Sequence, residues 1–454
     1  MARSRRRDLA AAAGALTGVL GAACGRSSPG AAPAAPAAPA SSGPVRVVYI
    51  SPSGSGPRFD LETQLFDDFN AGRPKGDVIV EVSAGPSGSA PVREKFVVAA
   101  AGGQPFGLVQ NNWGGWMDLA QGGSIAELSP YFKRDRIDPR LFLPEMINEY
   151  SDEGRIWALP VSMSVDALAY NMDLFDRAGL KYPPTDPEDK SWTMERFLEH
   201  ARLLSKPPDQ FGFGGGISGG DFGGMTEGTH FGQGPWDDAR KRSLFASAGM
   251  RKGMQFWLDV ALKHRVQPTA EEANALRGGA SSGNVFLTGK VGMQVFYTQT
   301  DRLPFRWGLA TLPYSGPAGS KNISGRAFAH ALHMGQVKEK EAVWEVLKWL
   351  TRPENGGRFV VTAGHATSPI VKGGSDIAQQ AYKDRAGVDA RAWVLMAQQV
   401  KAEAWGMFKY PNWTQVEAEL RAPFADLRAG KIPVDEYAER AAKLIDERLI
   451  GKRG

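Results

Sequence analysis

The segment Gln110-Asn111-Asn112-Trp113-Gly114-Gly115-Trp116 sets two adjacent amides beside two indoles. Indole faces cover the flat C–H faces of a sugar-like ring, and amides donate to and accept from its hydroxyls. The same two tryptophans, three residues apart, would equally pack one face of a helix. A second group lies in the glycine-rich run from Gly220 to His230 and in Gly234-Pro235-Trp236-Asp237-Asp238, with Asp221, Phe222, Thr226, Glu227 and Trp236 as candidates. Glycines there expose backbone amides and permit close approach, though a plain surface loop reads the same way. Tyr297 after Phe296, and Trp405, Phe408 and Trp413 near the C-terminus, extend the aromatic set.

Catalytic patterns are weaker. Gly216-Ile217-Ser218-Gly219-Gly220 fits a nucleophile elbow, but that chemistry needs a helix after the serine and more glycines follow instead. Gly214, Gly216 and Gly219 match a dinucleotide fingerprint with the same defect. His330 and His333 lack an evident third metal ligand, so structural histidines are expected and no metal or cofactor is. Asp221, Glu227 and Asp237 could supply a glycosidase carboxylate pair, but sequence does not fix their separation.

Alternating strands and helices must position these residues. Val45 to Tyr49 is a β-branched run read as a buried strand. Leu61, Leu65, Phe66 and Phe69 recur at helical spacing, which predicts a helix over 60–70. Val78 to Val82 is the next strand, Val92 to Ala100 the next helix, and Phe106 to Val109 a third strand. This β-α-β-α-β order predicts a mostly parallel sheet flanked by helices, with ligands beyond the carboxyl ends of its strands. Further amphipathic helices are read at Met194 to Leu204, Met250 to Ala261, 339–351 and Asp435 to Leu449.

Between these blocks, Asp152-Glu153-Gly154-Arg155-Ile156-Trp157-Ala158-Leu159-Pro160 leads to Ala169-Tyr170-Asn171-Met172-Asp173-Leu174-Phe175, then Ala178-Gly179-Leu180 and Pro183-Pro184. Asn171 is a good N-cap, Asp173 suits the helix dipole, and Gly179 closes the helix. This passage resembles the crossing between lobes in bacterial extracellular solute-binding proteins of family 1, the sugar-capturing subunits of ABC importers. Trp192-Thr193-Met194 and Phe286 to Met293 are similar to further family patterns. The latter would return the chain to the first lobe.

The resemblance implies a two-lobed α/β fold of the periplasmic-binding-protein type, joined by a multi-segment hinge. Residues 45–165 with 295–325 are expected in the first lobe, and 166–294 with 326–454 in the second. It further implies a non-enzymatic, monomeric receptor that takes a carbohydrate into the cleft and hands it to an ABC permease. A receptor for a phosphorylated polyol and an exported glycoside hydrolase are the alternatives.

The N-terminus indicates export. Ser4-Arg5-Arg6-Arg7-Asp8-Leu9 resembles a twin-arginine signal, and an apolar run too short to span a membrane reaches Cys24, the one cysteine. Residues 1–24 are therefore read as an export signal with Cys24 as the lipidation site. Residues 25–44 are an Ala/Pro-rich tether that could reach ~60 Å. The 54 basic and 49 acidic residues become 50 and 48 once residues 1–23 are removed. The basic character owes much to the signal and gives no reason to expect nucleic acid.

Overall fold

The computed structural model describes residues 43–450 except 74–76, 87–88, 112–114, 187–188, 216–230, 232–234, 238–240, 279–283, 297–301, 315–326, 364–373, 388, 390–409 and 411. Cys24 and the tether up to residue 42 lie outside this set. Among the described residues no helix is long and apolar enough to cross a membrane.

The first lobe is built on β1 (Val45–Ser51), β2 (Val78–Ala84) and β3 (Leu108–Asn111). A short hairpin of β4 (Ser151–Asp152) and β5 (Arg155–Ile156) precedes β6 (Leu159–Val165), and β11 (Ala327–Met334) completes the sheet. The order is β2-β1-β3-β11-β6. β1 runs parallel to β2 and β3, and β11 runs antiparallel to both β3 and β6. Successive side chains of a strand face opposite ways, so each face recruits its own helices. Leu65, Phe66 and Phe69 of α1 (Pro57–Ala71) pack on Val47, Tyr49 and Leu108. Val92 and Phe96 of α2 (Ser89–Ala101) pack on Ile50 and Val109 across the sheet.

The second lobe holds β7 (Ala167–Asn171), β8 (Phe211–Phe213), β9 (Val291–Phe296) and β10 (Trp307–Ala310), in the order β10-β7-β9-β8. β8 is parallel to β9, while β7 is antiparallel to β9 and to β10. Asn171 caps the next helix by accepting from the Leu174 N–H at 3.1 Å, and Gly179 ends it at φ 66°. Thr193 caps the helix Met194–Leu203 in the same way. Phe197, Phe213 and Trp257 interlock at 5.1–5.6 Å between ring centres. β8 lies so close to that helix that a Cβ on Gly212 would stand 1.8 Å from the Ala201 carbonyl oxygen. Gly212→Ala must push the two backbones apart and is expected to cost about 3 kcal/mol or more. A lowered urea midpoint at unchanged slope would record it.

Two features differ from the sequence expectation. The strand inside 286–296 does not return to the first lobe: Met293 and Val295 of β9 pair with Tyr170 and Leu168 of β7. The assignments of 295–325 and 326–454 also need correction. β10 belongs to the second sheet and β11 to the first. Val343, Leu347 and Phe359, from helices Lys340–Leu350 and Pro353–Ala363, share the first-lobe core with Val47. Helices Trp413–Arg428 and Val434–Ile445 do pack in the second lobe, where Tyr437 meets Phe424 and Phe245. Apolar strands of this kind carry no mark of the sheet they join, because pairing is decided by long-range packing.

Candidate functional site

The carboxyl edges of the two sheets converge where the chain first crosses. Val165, the last residue of β6, pairs with Ala327, and Ala167, the first residue of β7, pairs with Phe296 at the end of β9. Asp166 joins them and is fully buried. β3 ends at Asn111, β8 at Phe213 and β9 at Phe296. On the second-lobe side Gly214 and Gly215 prolong the ladder, Gly214 donating to the Met293 carbonyl at 2.8 Å and Val295 to the Gly215 carbonyl at 3.0 Å.

In the first lobe, the sheet face beneath α1 changes character along its length. Val47, Leu108 and Met334 form the apolar part. Tyr49, Gln110 and His330 share that face nearer the carboxyl edge, as the pairings Tyr49 with Leu108 and Gln110 with Leu332 require. The Tyr49 hydroxyl donates to Gln110 Oε1 at 3.0 Å, and Arg58 Nη2 donates to the same oxygen at 2.9 Å. Arg58 Nε donates to Glu62 Oε1 at 3.0 Å. Pro57 in the first turn of α1, after Gly56 at φ 87°, starts the helix so that Arg58 and Glu62 stand one turn apart.

The Glu62 side chain is 0% exposed and that of Arg58 27%, so the guanidinium is the cluster's opening to solvent. Glu62 Oε2 and Gln110 Nε2 are buried and have no hydrogen-bond partner among the described residues. Burial first, then the Glu62 charge, pushes the Tyr49 phenol well above its ordinary range, so it stays a neutral donor. Burial first, then the Arg58 charge, pushes His330 well down.

His333 lies on the opposite face of β11, fully buried. Its Nδ1 donates to the Trp157 carbonyl at 3.1 Å, and its ring meets Tyr150 edge-on at 5.5 Å. Burial lowers its pKa to about 4, against the weaker opposing effect of that hydrogen bond. An unfolded histidine titrates near 6.5. Between those values the unfolded chain binds a proton that the folded chain refuses. This contribution to stability is therefore complete above about pH 6.5 and is lost as pH falls toward 4. It amounts to about 3 kcal/mol. His333→Gln, which keeps a donor for Trp157, is expected to flatten the fall in urea midpoint between pH 7 and 4.5; an unchanged slope would refute the assignment.

The lobes also touch through α3 (Trp116–Gln121). Asp118 Oδ1 accepts from the backbone N–H of Asn412, which sits at φ 64° before the helix Trp413–Arg428. Gly115 precedes α3 at φ 77°, where a Cβ would come within 3.0 Å of Thr414 Oγ1 and 2.7 Å of Arg93 Nη1.

Of the residues expected to face a ligand, Asn112, Trp113, Asp221, Phe222, Thr226, Glu227, Tyr297 and Trp405 lie outside the described residues, as does the side chain of Asn111. Three others are placed, and each is buried beside other aromatic rings. Trp116 is 1% exposed, with its ring 6.2 Å from Tyr150. Trp236 and Trp413 are buried together, Trp236 lying 5.2 Å from Tyr410 and 6.5 Å from Trp413. Arg58 and Glu62 were not among the expected residues. Their signal was a carboxylate on the buried stripe of α1: Glu62, not Leu61, lines up with Leu65, Phe66 and Phe69.

The family model described as bacterial extracellular solute-binding protein matches residues 54–357. A binding protein of Brucella abortus (strain 2308) is 22% identical over 279 residues, 59% of this chain; the match spans 63% of that relative, less than two thirds of its length. The sn-glycerol-3-phosphate-binding periplasmic protein UgpB of Escherichia coli (strain K12) is 23% identical over 336 residues, 68% of this chain and 72% of UgpB. Among solved structures, an ABC substrate-binding protein from Listeria monocytogenes in complex with cycloalternan superposes with a TM-score of 0.72 at 17% identity, covering 89% of this chain and 98% of that one. UgpB from Mycobacterium tuberculosis in complex with glycerophosphocholine gives 0.70 at 18% identity, covering 91% and 99%.

Proposed function

Because the chain belongs to the bacterial extracellular solute-binding proteins, we propose that it is the receptor of an ABC importer, taking a carbohydrate between its lobes and passing it unchanged to the permease. The observation that carries this reading is the meeting of both carboxyl edges at Asp166, with β6 ending and β7 beginning on either side. Ligands of open α/β sheets bind outside such edges. A solute held there touches both lobes, and contacts made only in the closed form favour closure. Asn111, Asn112 and Trp113 are its contacts from the first lobe. Asp221, Phe222, Thr226, Glu227, Tyr297 and Trp405 complete the set, while Trp116, Trp236 and Trp413 pack behind it.

The receptor acts outside the membrane as a monomer, exported by its twin-arginine signal and anchored through acylated Cys24. A separate ATPase drives transport, so the receptor itself performs no chemistry. A second reading, a phosphorylated polyol as solute, is favoured by the UgpB relatives, whose names record sn-glycerol 3-phosphate and glycerophosphocholine. Thermal-shift measurements against neutral saccharides and glycerol phosphates test the proposal, since a ligand of the folded state raises the melting temperature. A shift with a neutral saccharide is expected. A shift only with the phosphates would move the assignment to the second reading.

A further inference from the structure

We propose that Arg58, Glu62 and Gln110 form a specificity unit at the carboxyl edge of the first lobe, which favours a neutral polyhydroxylated solute over a phosphorylated one. The proposal rests on the receptor reading above. An arginine that grips phosphate presents two parallel N–H groups and an unbalanced charge. Here Arg58 Nε is tied to Glu62 Oε1 at 3.0 Å and Nη2 to Gln110 Oε1 at 2.9 Å. That edge of its fork is occupied by the protein, and a fully buried carboxylate balances its charge.

The polar atoms left over are a carboxylate oxygen, Glu62 Oε2, which only accepts, and an amide nitrogen, Gln110 Nε2, which only donates. Both atoms are buried and meet no solute; the outer side of the Arg58 guanidinium does, with its charge already balanced by Glu62, and such a donor suits a neutral hydroxyl oxygen. A phosphate ester at cellular pH accepts only, and it would stand near the Glu62 charge. Arg58, at 27% side-chain exposure, is the member that touches the solute. Glu62 and Gln110 act through it as positioning residues.

Titration calorimetry on the exported chain decides the matter, with maltose, mannobiose, sn-glycerol 3-phosphate and inorganic phosphate as probes. Wild type is expected to bind a neutral saccharide at least tenfold more tightly than either phosphate. Glu62→Gln leaves the Arg58 charge unbalanced, so about tenfold tighter phosphate binding and about tenfold weaker saccharide binding are expected. Arg58→Lys keeps the charge but loses the fork, and is expected to weaken saccharide binding about tenfold.

Stronger wild-type binding of glycerol phosphate would overturn the specificity unit, as would unchanged phosphate affinity in Glu62→Gln; both leave the receptor reading standing. If Glu62→Gln does not fold, unchanged saccharide affinity in Arg58→Lys overturns it. Failure of wild type to bind any probe would count against the receptor reading and the specificity unit together.

Discussion

Trp116→Ala is expected to lose about 3–5 kcal/mol of folding free energy in the solute-free protein. The side chain is 1% exposed and shares a core with Met146, Tyr150, Met163 and Trp413. Truncation removes its contacts and leaves a cavity between helix α3 and the strands beneath it. Its indole N–H has no hydrogen-bond partner among the described residues. Trp116→Phe therefore gives up volume but no bond, and is expected to cost less than half as much. Urea unfolding without solute provides the comparison. An unchanged midpoint combined with weakened solute binding would instead make Trp116 a ligand platform.

Arg58→Met is expected to be as damaging, at about 3–5 kcal/mol, because it leaves Glu62 buried without its counter-charge. Removing both charges should undo much of that loss. The double variant Arg58→Met/Glu62→Gln is expected to be more stable than Arg58→Met alone, with a coupling of about 1–3 kcal/mol between the sites. Additive losses would mean that the pair is not coupled as its geometry requires. This cycle is independent of any solute, and so separates the pair's structural role from its proposed part in recognition.

Local chemistry was legible in the sequence, and long-range pairing was not. Asn171 and Gly179 announced their helix because a cap and a left-handed terminus are decided within a few residues. The helical stripe of α1 was visible too, but its register was off by one: Leu61 is only partly buried and Glu62 points inward. Binary patterning places apolar residues inside, so a buried carboxylate is misread unless its partner Arg58, itself bonded to Gln110, is seen with it. Sheet membership failed at β10 and β11 for another reason. An apolar strand such as β10, with Trp307, Leu309 and Ala310 buried, would suit either sheet. Trp116 and Trp413 were ambiguous in the sequence because an indole serves a core as well as a sugar face, and burial decides between them.

The central claim is that a solute is held between two lobes and released chemically intact. Titration calorimetry against a saccharide panel, followed by chromatography of the recovered solute, tests it most directly. Saturable binding of at least one saccharide, recovered at its original length, is the expected result. Shortened products, or no heat with any member of the panel, would contradict it.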